Sequence, residues 1–167
     1  GLTPETAVKT LSEGYALLDK AAGGKLVLSG PVEGGGFDAA GSAVTGPVTI
    51  TGTETGSLTL TGNKATLTLS GTTVLENLSI KLDAGKDKNS VFLYSGADLT
   101  LGENLTVTGT GSLKVFCSDP SGIRDVRVRV FSGTYHTFFM GGNSGSTTGN
   151  VDLTIGGTTE VTSNVTL

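Results

Sequence analysis

The sequence is poor in the residues that most site chemistry uses. It has one cysteine, one histidine, one methionine and no tryptophan among 167 residues. With Cys117 alone, an intramolecular disulfide and an all-cysteine zinc site are excluded. With His136 alone, a His-rich metal site is excluded, and no His-Asp-Ser relay stands out. No metal or other cofactor is expected. Surplus positive charge is missing too: the net charge is −4, so nothing neutralises phosphates overall and a nucleic-acid partner is not expected. No run of about 18 apolar residues exists, so no membrane insertion is expected. The 27 glycines follow no Gly-X-Y period, which excludes collagen.

What is present is alternation. In Val48 to Leu82, apolar residues fall in pairs and triplets at a spacing of two: Val48 and Ile50, Leu58 and Leu60, Leu67 and Leu69, then Leu78, Ile80 and Leu82. Thr, Ser and Lys lie between them. A period of two marks strands with one buried face, and each burst ends at Gly or Asn after a few residues, so the strands are many and short. Further bursts follow at Val91–Tyr94, Leu99–Leu101, Leu105–Val107, Leu113–Cys117, Val126–Phe131, Thr134–Met140, Val151–Ile155 and from Val161 onward. Cys117 falls in the inward phase of its burst, where a free thiol acts as a small hydrophobe.

Ahead of the strands, TPETAVKTLSEGYALLDKAA predicts one helix over residues 3–22. Thr3 suits the N-cap, Pro4 the first helical position and Glu5 the first turn. Ala7, Val8, Leu11, Tyr15 and Leu18 form one apolar stripe, and Gly23-Gly24 is expected to end the helix. Lys25–Val32 then reads as the first strand, with Leu26 and Leu28 on one side, and 33–45 as a loop that holds Phe37 against the core.

Short strands at this spacing fit a sandwich, a barrel or a solenoid. Three features favour the solenoid. The bursts resemble one another (PVTITGT, SLTLTGN, ATLTLSG, NLTVTGT). The lone helix stands where an open stack needs a cap. The connections also vary widely in length, which suits loops projecting from stacked coils. The expected fold is therefore an all-β, right-handed parallel β-helix of about six coils with an N-terminal capping helix, forming one domain over residues 1–167.

The opening GLTPETAVKTLSEGYALLDKAAGGKLVLSGPV resembles the capping helix and first strand of right-handed parallel β-helix domains of the pectate-lyase-like superfamily. The later VRVFSGTYHTFFMGG and GNVDLTIGGTTEV resemble repeats in large extracellular proteins of Gram-positive gut bacteria. The resemblance implies an extracellular module, secreted or attached to a cell surface, that stands as a monomeric unit of a larger chain. The chain also opens at Gly1-Leu2 without Met and stops inside an alternating burst, as a piece of a longer polypeptide would.

Enzymes of that superfamily act on polysaccharides. Hydrolysis would need paired carboxylates across the scissile bond, and lyase chemistry a calcium cluster with a basic residue. The acids Asp83, Asp87, Asp98, Glu103, Asp119, Asp125, Asp152 and Glu160 show no such pair in their spacing. Asp119 and Asp125 around Arg124, Arg127 and Arg129 come nearest. The expectation is a non-catalytic module that binds plant or host polysaccharide or mediates adhesion. Two alternatives stay open: a fragment of a polysaccharide lyase or glycoside hydrolase, and a structural spacer.

Binding is assigned to outward residues. If Val91, Leu93, Val115 and Cys117 point inward, then Phe92, Tyr94, Lys114 and Phe116 point outward. The offset of 22 residues from Phe92 to Lys114 and from Tyr94 to Phe116 is about one coil, so these side chains would stack on one face as a sugar platform. Arg127, Arg129 and Phe131 form a second outward set suited to carboxylated sugars. Tyr135 and His136 complete the candidate residues. Against binding stands the reading that loops cover these aromatics as a satellite core. The Thr-x-Thr pairs at 49, 59 and 66 are spaced too irregularly for an ice-lattice match, and Thr is in any case favoured in strands.

Overall fold

The computed structural model of the chain describes residues 8–85, 88–117, 125–140 and 149–167. Thr3, Pro4, Glu5 and Ala7 of the expected helix, together with Asp87, Asp119 and Arg124, lie outside the described residues.

Every strand pairing is parallel, and the strands stack on three faces of one coil. The first face carries β1 (Gly24–Leu28), β3 (Val48–Gly52), β6 (Thr72–Glu76) and β9 (Asp98–Leu101). The second carries β2 (Pro31–Glu33), β4 (Ser57–Thr61), β7 (Ser79–Asp83) and β10 (Thr106–Thr110). The third carries β5 (Thr66–Leu69), β8 (Asn89–Tyr94) and β11 (Ser112–Cys117). Two long strands, β12 (Val126–Phe139) and β13 (Val151–Thr166), bend round the corners: β12 pairs with β9 through its first half and with β11 through its end. Five successive pairings on the first face make this a parallel β-solenoid of about five turns, close to the six coils expected.

Register converts sequence alternation into a core. On the first face Leu26, Ile50, Leu75, Leu101, Val130 and Ile155 stand above one another. On the second face Val32, Leu58, Ile80 and Val107 do the same. Each step places an apolar residue on another, about 4.8 Å away along the stack, so the inner sides of the central strands form one dry core. The inward residues read from Val48–Leu82 are all buried.

Corners require particular backbones. Asn77 and Asn104 both adopt positive φ, of 49° and 56°, at the corner after the first face, and the Asn104 amide donates to Asn77 Oδ1 at 2.8 Å. In the fifth coil Ser132 takes a corner role: its hydroxyl donates to the Gly102 carbonyl at 2.7 Å and accepts from Leu105 N–H at 2.8 Å. Both bonds are buried and tie two coils together. Gly96 has to be glycine, because a Cβ there would collide with the Gly71 carbonyl oxygen. That carbonyl also receives the Tyr94 hydroxyl at 2.6 Å.

Within the described residues the helix is shorter than the expected 3–22. It spans α1 (Leu11–Ala16) with Thr10 as N-cap. Thr10 Oγ1 accepts from Glu13 N–H at 3.1 Å, and the Glu13 carboxylate accepts from Thr10 N–H at 3.1 Å. This reciprocal capping box starts a helix at Leu11. The helix ends at Ala16 with Leu17 as C-cap, and before Gly23 the chain forms a separate local turn in which Asp19 Oδ1 accepts from the N–H groups of Ala21 and Ala22 at 2.9 and 2.7 Å, bonding that competes with helix. The capping role is as expected: Leu11 and Tyr15 are buried, and the Tyr15 ring packs on Phe37 with centroids 4.9 Å apart. Among the described residues no helix is long and apolar enough to cross a membrane.

Candidate functional site

The third face does not place Phe92 and Tyr94 outside. In the interior ladder Leu67, Phe92, Val115 and Phe138 lie in register, as do Leu69, Tyr94 and Cys117. Phe92 and Tyr94 are 0% and 1% exposed, so neither belongs to an outer platform. The offset between β8 and β11 is 23 residues, pairing Val91 with Lys114 and Leu93 with Phe116. A one-residue slip reverses every side chain. Both phases of Val91-Phe92-Leu93-Tyr94 are apolar, so alternation alone cannot choose between them. The neighbouring β5 chooses, because Leu67 and Leu69 are its only apolar side and they align with Phe92 and Tyr94.

The outer surface of this face is therefore built from Val91, Leu93, Lys114, Phe116 and Phe139, all half-buried. Lys114 and Phe116 point outward as expected. Leu93, Phe116 and Phe139 form one row across three coils. The rings of Phe116 and Phe139 are parallel within 10°, with centroids 4.7 Å apart. Phe139 is the residue that sequence reasoning missed. Alternation runs cleanly through β12 to Phe131 but breaks at the corner, where Thr137 and Phe138 are both buried in succession. The register shift between Tyr135 and Thr137 resets the phase there.

Tyr135 is likewise not available to a ligand. It is fully buried, its ring packs on Phe138 with centroids 5.1 Å apart, and its hydroxyl donates to the Ser132 carbonyl at 3.1 Å. Burial holds its phenol protonated far above the usual range. His136 is half-buried. Its Nδ1 lies 2.8 Å from Thr137 Oγ1, which donates onward to Asn164 Oδ1 at 3.1 Å.

The basic set lies on a different face. Arg127 and Arg129 point outward from β12 on the first face, as expected, but both are engaged. Arg129 makes a 2.7 Å bond to Asp98 Oδ1, and its Nε lies 3.4 Å from Thr100 Oγ1. Arg127 sits between two carboxylates, 3.7 Å from Asp98 and 3.6 Å from Asp152. Register explains the cluster, since Asp98, Arg127 and Asp152 are paired partners on successive coils. Phe131 is half-buried at the next corner, where its carbonyl approaches Gly157 too closely for any Cβ. The nine candidate residues thus divide into the interior Phe92, Tyr94 and Tyr135, the salt-bridged Arg127 and Arg129 on the first face, Phe131 at the following corner, and the half-buried Lys114, Phe116 and His136.

Among the described residues, no three of His, Cys, Asp and Glu come together as a metal site. Two concavities among the described residues are open depressions. One, of about 280 Å³, lies at the corner after the first face between Gly52, Glu54, Asn77 and Asn104. The other lies at the C-terminal end of the coil. Cys117 is buried, and desolvation pushes its thiol up from 9.0 to about 12. A protonated, enclosed thiol is a packing residue rather than a nucleophile.

Fold and surface together define the chain as a parallel β-solenoid whose third face carries an outward apolar row. Comparison with known proteins gives no match: no family model, no curated protein and no solved structure matches this chain.

Proposed function

We propose that the chain is a non-catalytic extracellular module that binds plant or host polysaccharide, or adheres through it, on the outer surface of its third face. The observation that carries this reading is the Phe116–Phe139 stack, half-buried on a sheet surface in one row with Leu93. Apolar sugar faces rest on such a row, and the two rings hold each other in place, so little side-chain freedom is left to lose on binding. Lys114 stands two residues from Phe116 on the same side of β11 and supplies a cationic donor for sugar hydroxyls or carboxylates. Recognition of carboxylated sugars moves from Arg127 and Arg129, whose guanidiniums are held by Asp98 and Asp152, to Lys114. The sequence resemblance to pectate-lyase-like β-helix domains of Gram-positive gut bacteria supports an extracellular, polysaccharide-rich setting.

The test is retention on a panel of immobilised plant and host polysaccharides. The intact chain is expected to be held by at least one, and Phe116→Ala with Phe139→Ala to release it. Failure to bind any member would favour a spacer, a role that the continuous interior ladders also suit. Depolymerisation of a panel member by the chain would favour the enzymatic alternative.

A further inference from the structure

The apolar row on the third face has a direction. Thr68, Leu93, Phe116, Phe139 and Thr166 are paired in register on successive strands, so the row runs along the coil axis and across the strands. Leu93, Phe116 and Phe139 are half-buried on the outer side, and a threonine stands at each end of them. Along a strand the surface differs. On β11 the outward residues are Ser112, Lys114 and Phe116, so that line carries one apolar side chain. An elongated ligand therefore meets three apolar positions if it lies along the axis, and one if it follows β11.

The positions are also evenly spaced. Adjacent strands stand about 4.8 Å apart, and the Phe116 and Phe139 ring centroids are 4.7 Å apart. A pyranose linked through equatorial bonds at its first and fourth carbons advances by nearly the same step per sugar, because the bridging oxygens lie at opposite ends of the ring. Such a chain is a straight, flat ribbon. Its hydroxyls lie along the edges, and its broad faces present C–H bonds. Axial linkage bends the chain, so successive rings leave a straight row. Building on the reading of this face as a glycan surface, we infer that it takes an unbranched glycan of equatorially 1,4-linked pyranoses. The chain lies along the coil axis with one sugar on each of Leu93, Phe116 and Phe139. Thr68 and Thr166 end the apolar contact and place hydroxyls where the glycan enters and leaves. Lys114, two residues from Phe116 on the same side of β11, flanks the middle sugar and meets substituents on one edge of the ribbon.

Titration calorimetry of the intact chain with oligosaccharides of one to six units tests this, using two matched pairs. The neutral pair is glucose linked β-1,4 (equatorial) or α-1,4 (axial). The anionic pair is β-1,4-linked mannuronate (equatorial) and α-1,4-linked guluronate (axial). In at least one pair the equatorial members are expected to bind at least about tenfold tighter than the axial ones. Their affinity is expected to rise about fourfold per added unit, the effect of burying one more methylene-sized group, and to level off at three units. Thr68→Leu adds an apolar position in the same row and is expected to move the plateau to four units, a gain that damage to the fold cannot imitate. Leu93→Ala is expected to move it to two. Affinity independent of length, axial members that bind as well or better, a plateau unmoved by Thr68→Leu, or retention of a polysaccharide with neither equatorial series bound would each overturn the inference and leave polysaccharide binding standing. A chain retained by no polysaccharide would overturn both.

Discussion

Phe116 and Phe139 lie one coil apart on the outer side of the third face, with ring planes within 10° and centroids 4.7 Å apart. That separation matches the spacing of adjacent strands, so the parallel ladder itself sets the stack. Each ring covers part of one face of the other, and Leu93 extends the row on the preceding coil.

Replacing either ring by Ala is expected to abolish polysaccharide retention while lowering stability by about 1 kcal/mol, the worth of an aromatic pair beyond its area. The checks are affinity electrophoresis and urea unfolding on the same variants. Lys114→Ala is expected to weaken retention of acidic polysaccharides more than of neutral ones and to leave the unfolding midpoint almost unmoved.

Phe92 offers the contrasting case. It is fully buried between Leu67 and Val115 in the ladder, so Phe92→Ala leaves a cavity and is expected to cost about 3–5 kcal/mol. Tyr94→Phe keeps the ring but removes the hydroxyl bond to the Gly71 carbonyl at 2.6 Å, with an expected loss of about 1 kcal/mol. Neither change should affect polysaccharide retention in protein that remains folded. Urea unfolding by circular dichroism measures both.

Asp98 holds two guanidiniums, Arg129 at 2.7 Å and Arg127 at 3.7 Å. Asp98→Asn leaves two cations together on one face and is expected to lower stability by about 1 kcal/mol in dilute buffer, because the group is partly exposed and its pairs are screened by water. The difference should shrink in about 1 M salt, where the screening length falls to about 3 Å. Urea midpoints at the two ionic strengths are the measurement.

Alkaline pH should act through the core. Burial raises the Cys117 thiol from 9.0 to about 12 and the Tyr15 phenol from 10.0 to about 12, and it raises Tyr94 and Tyr135 further still. The folded chain holds all four groups protonated, whereas the unfolded chain releases their protons at ordinary values. Their contribution is therefore fully present below pH 9 and is lost as pH rises through about 9 to 12. The unfolding midpoint is expected to decline over that interval, and Cys117→Val to delay its onset toward pH 10. Thiol reagents should reach Cys117 only on unfolding.

The alternation of Val48–Leu82 by itself determined which residues of that stretch form the core. At Val48–Ile50, Leu58–Leu60, Leu67–Leu69 and Leu78–Leu82 one side is apolar and the other is Thr, Ser or Lys, so only one phase buries the right residues; the parallel pairing itself was set by the stacking of coils. The cap was legible in part: Leu11 and Tyr15 announce a helix with a buried stripe, while the reciprocal bonds of Thr10 and Glu13 decide where it starts. The candidate site was legible only for Lys114, Phe116 and the outward arginines. In Val91–Tyr94 both phases are apolar, and sequence cannot rank two equally hydrophobic sides. The partner strand does so, because Leu67 and Leu69 admit a single register. In Tyr135–Phe139 the corner inserts a residue into the alternation, which hides Phe139 from any period-two reading. That Arg127 and Arg129 are held rather than free was likewise beyond the sequence, since Asp98 and Asp152 reach them only through the stacking of successive coils. Local pattern specifies a strand's sidedness wherever its two sides differ in polarity; where they do not, only the neighbouring coil can supply the phase.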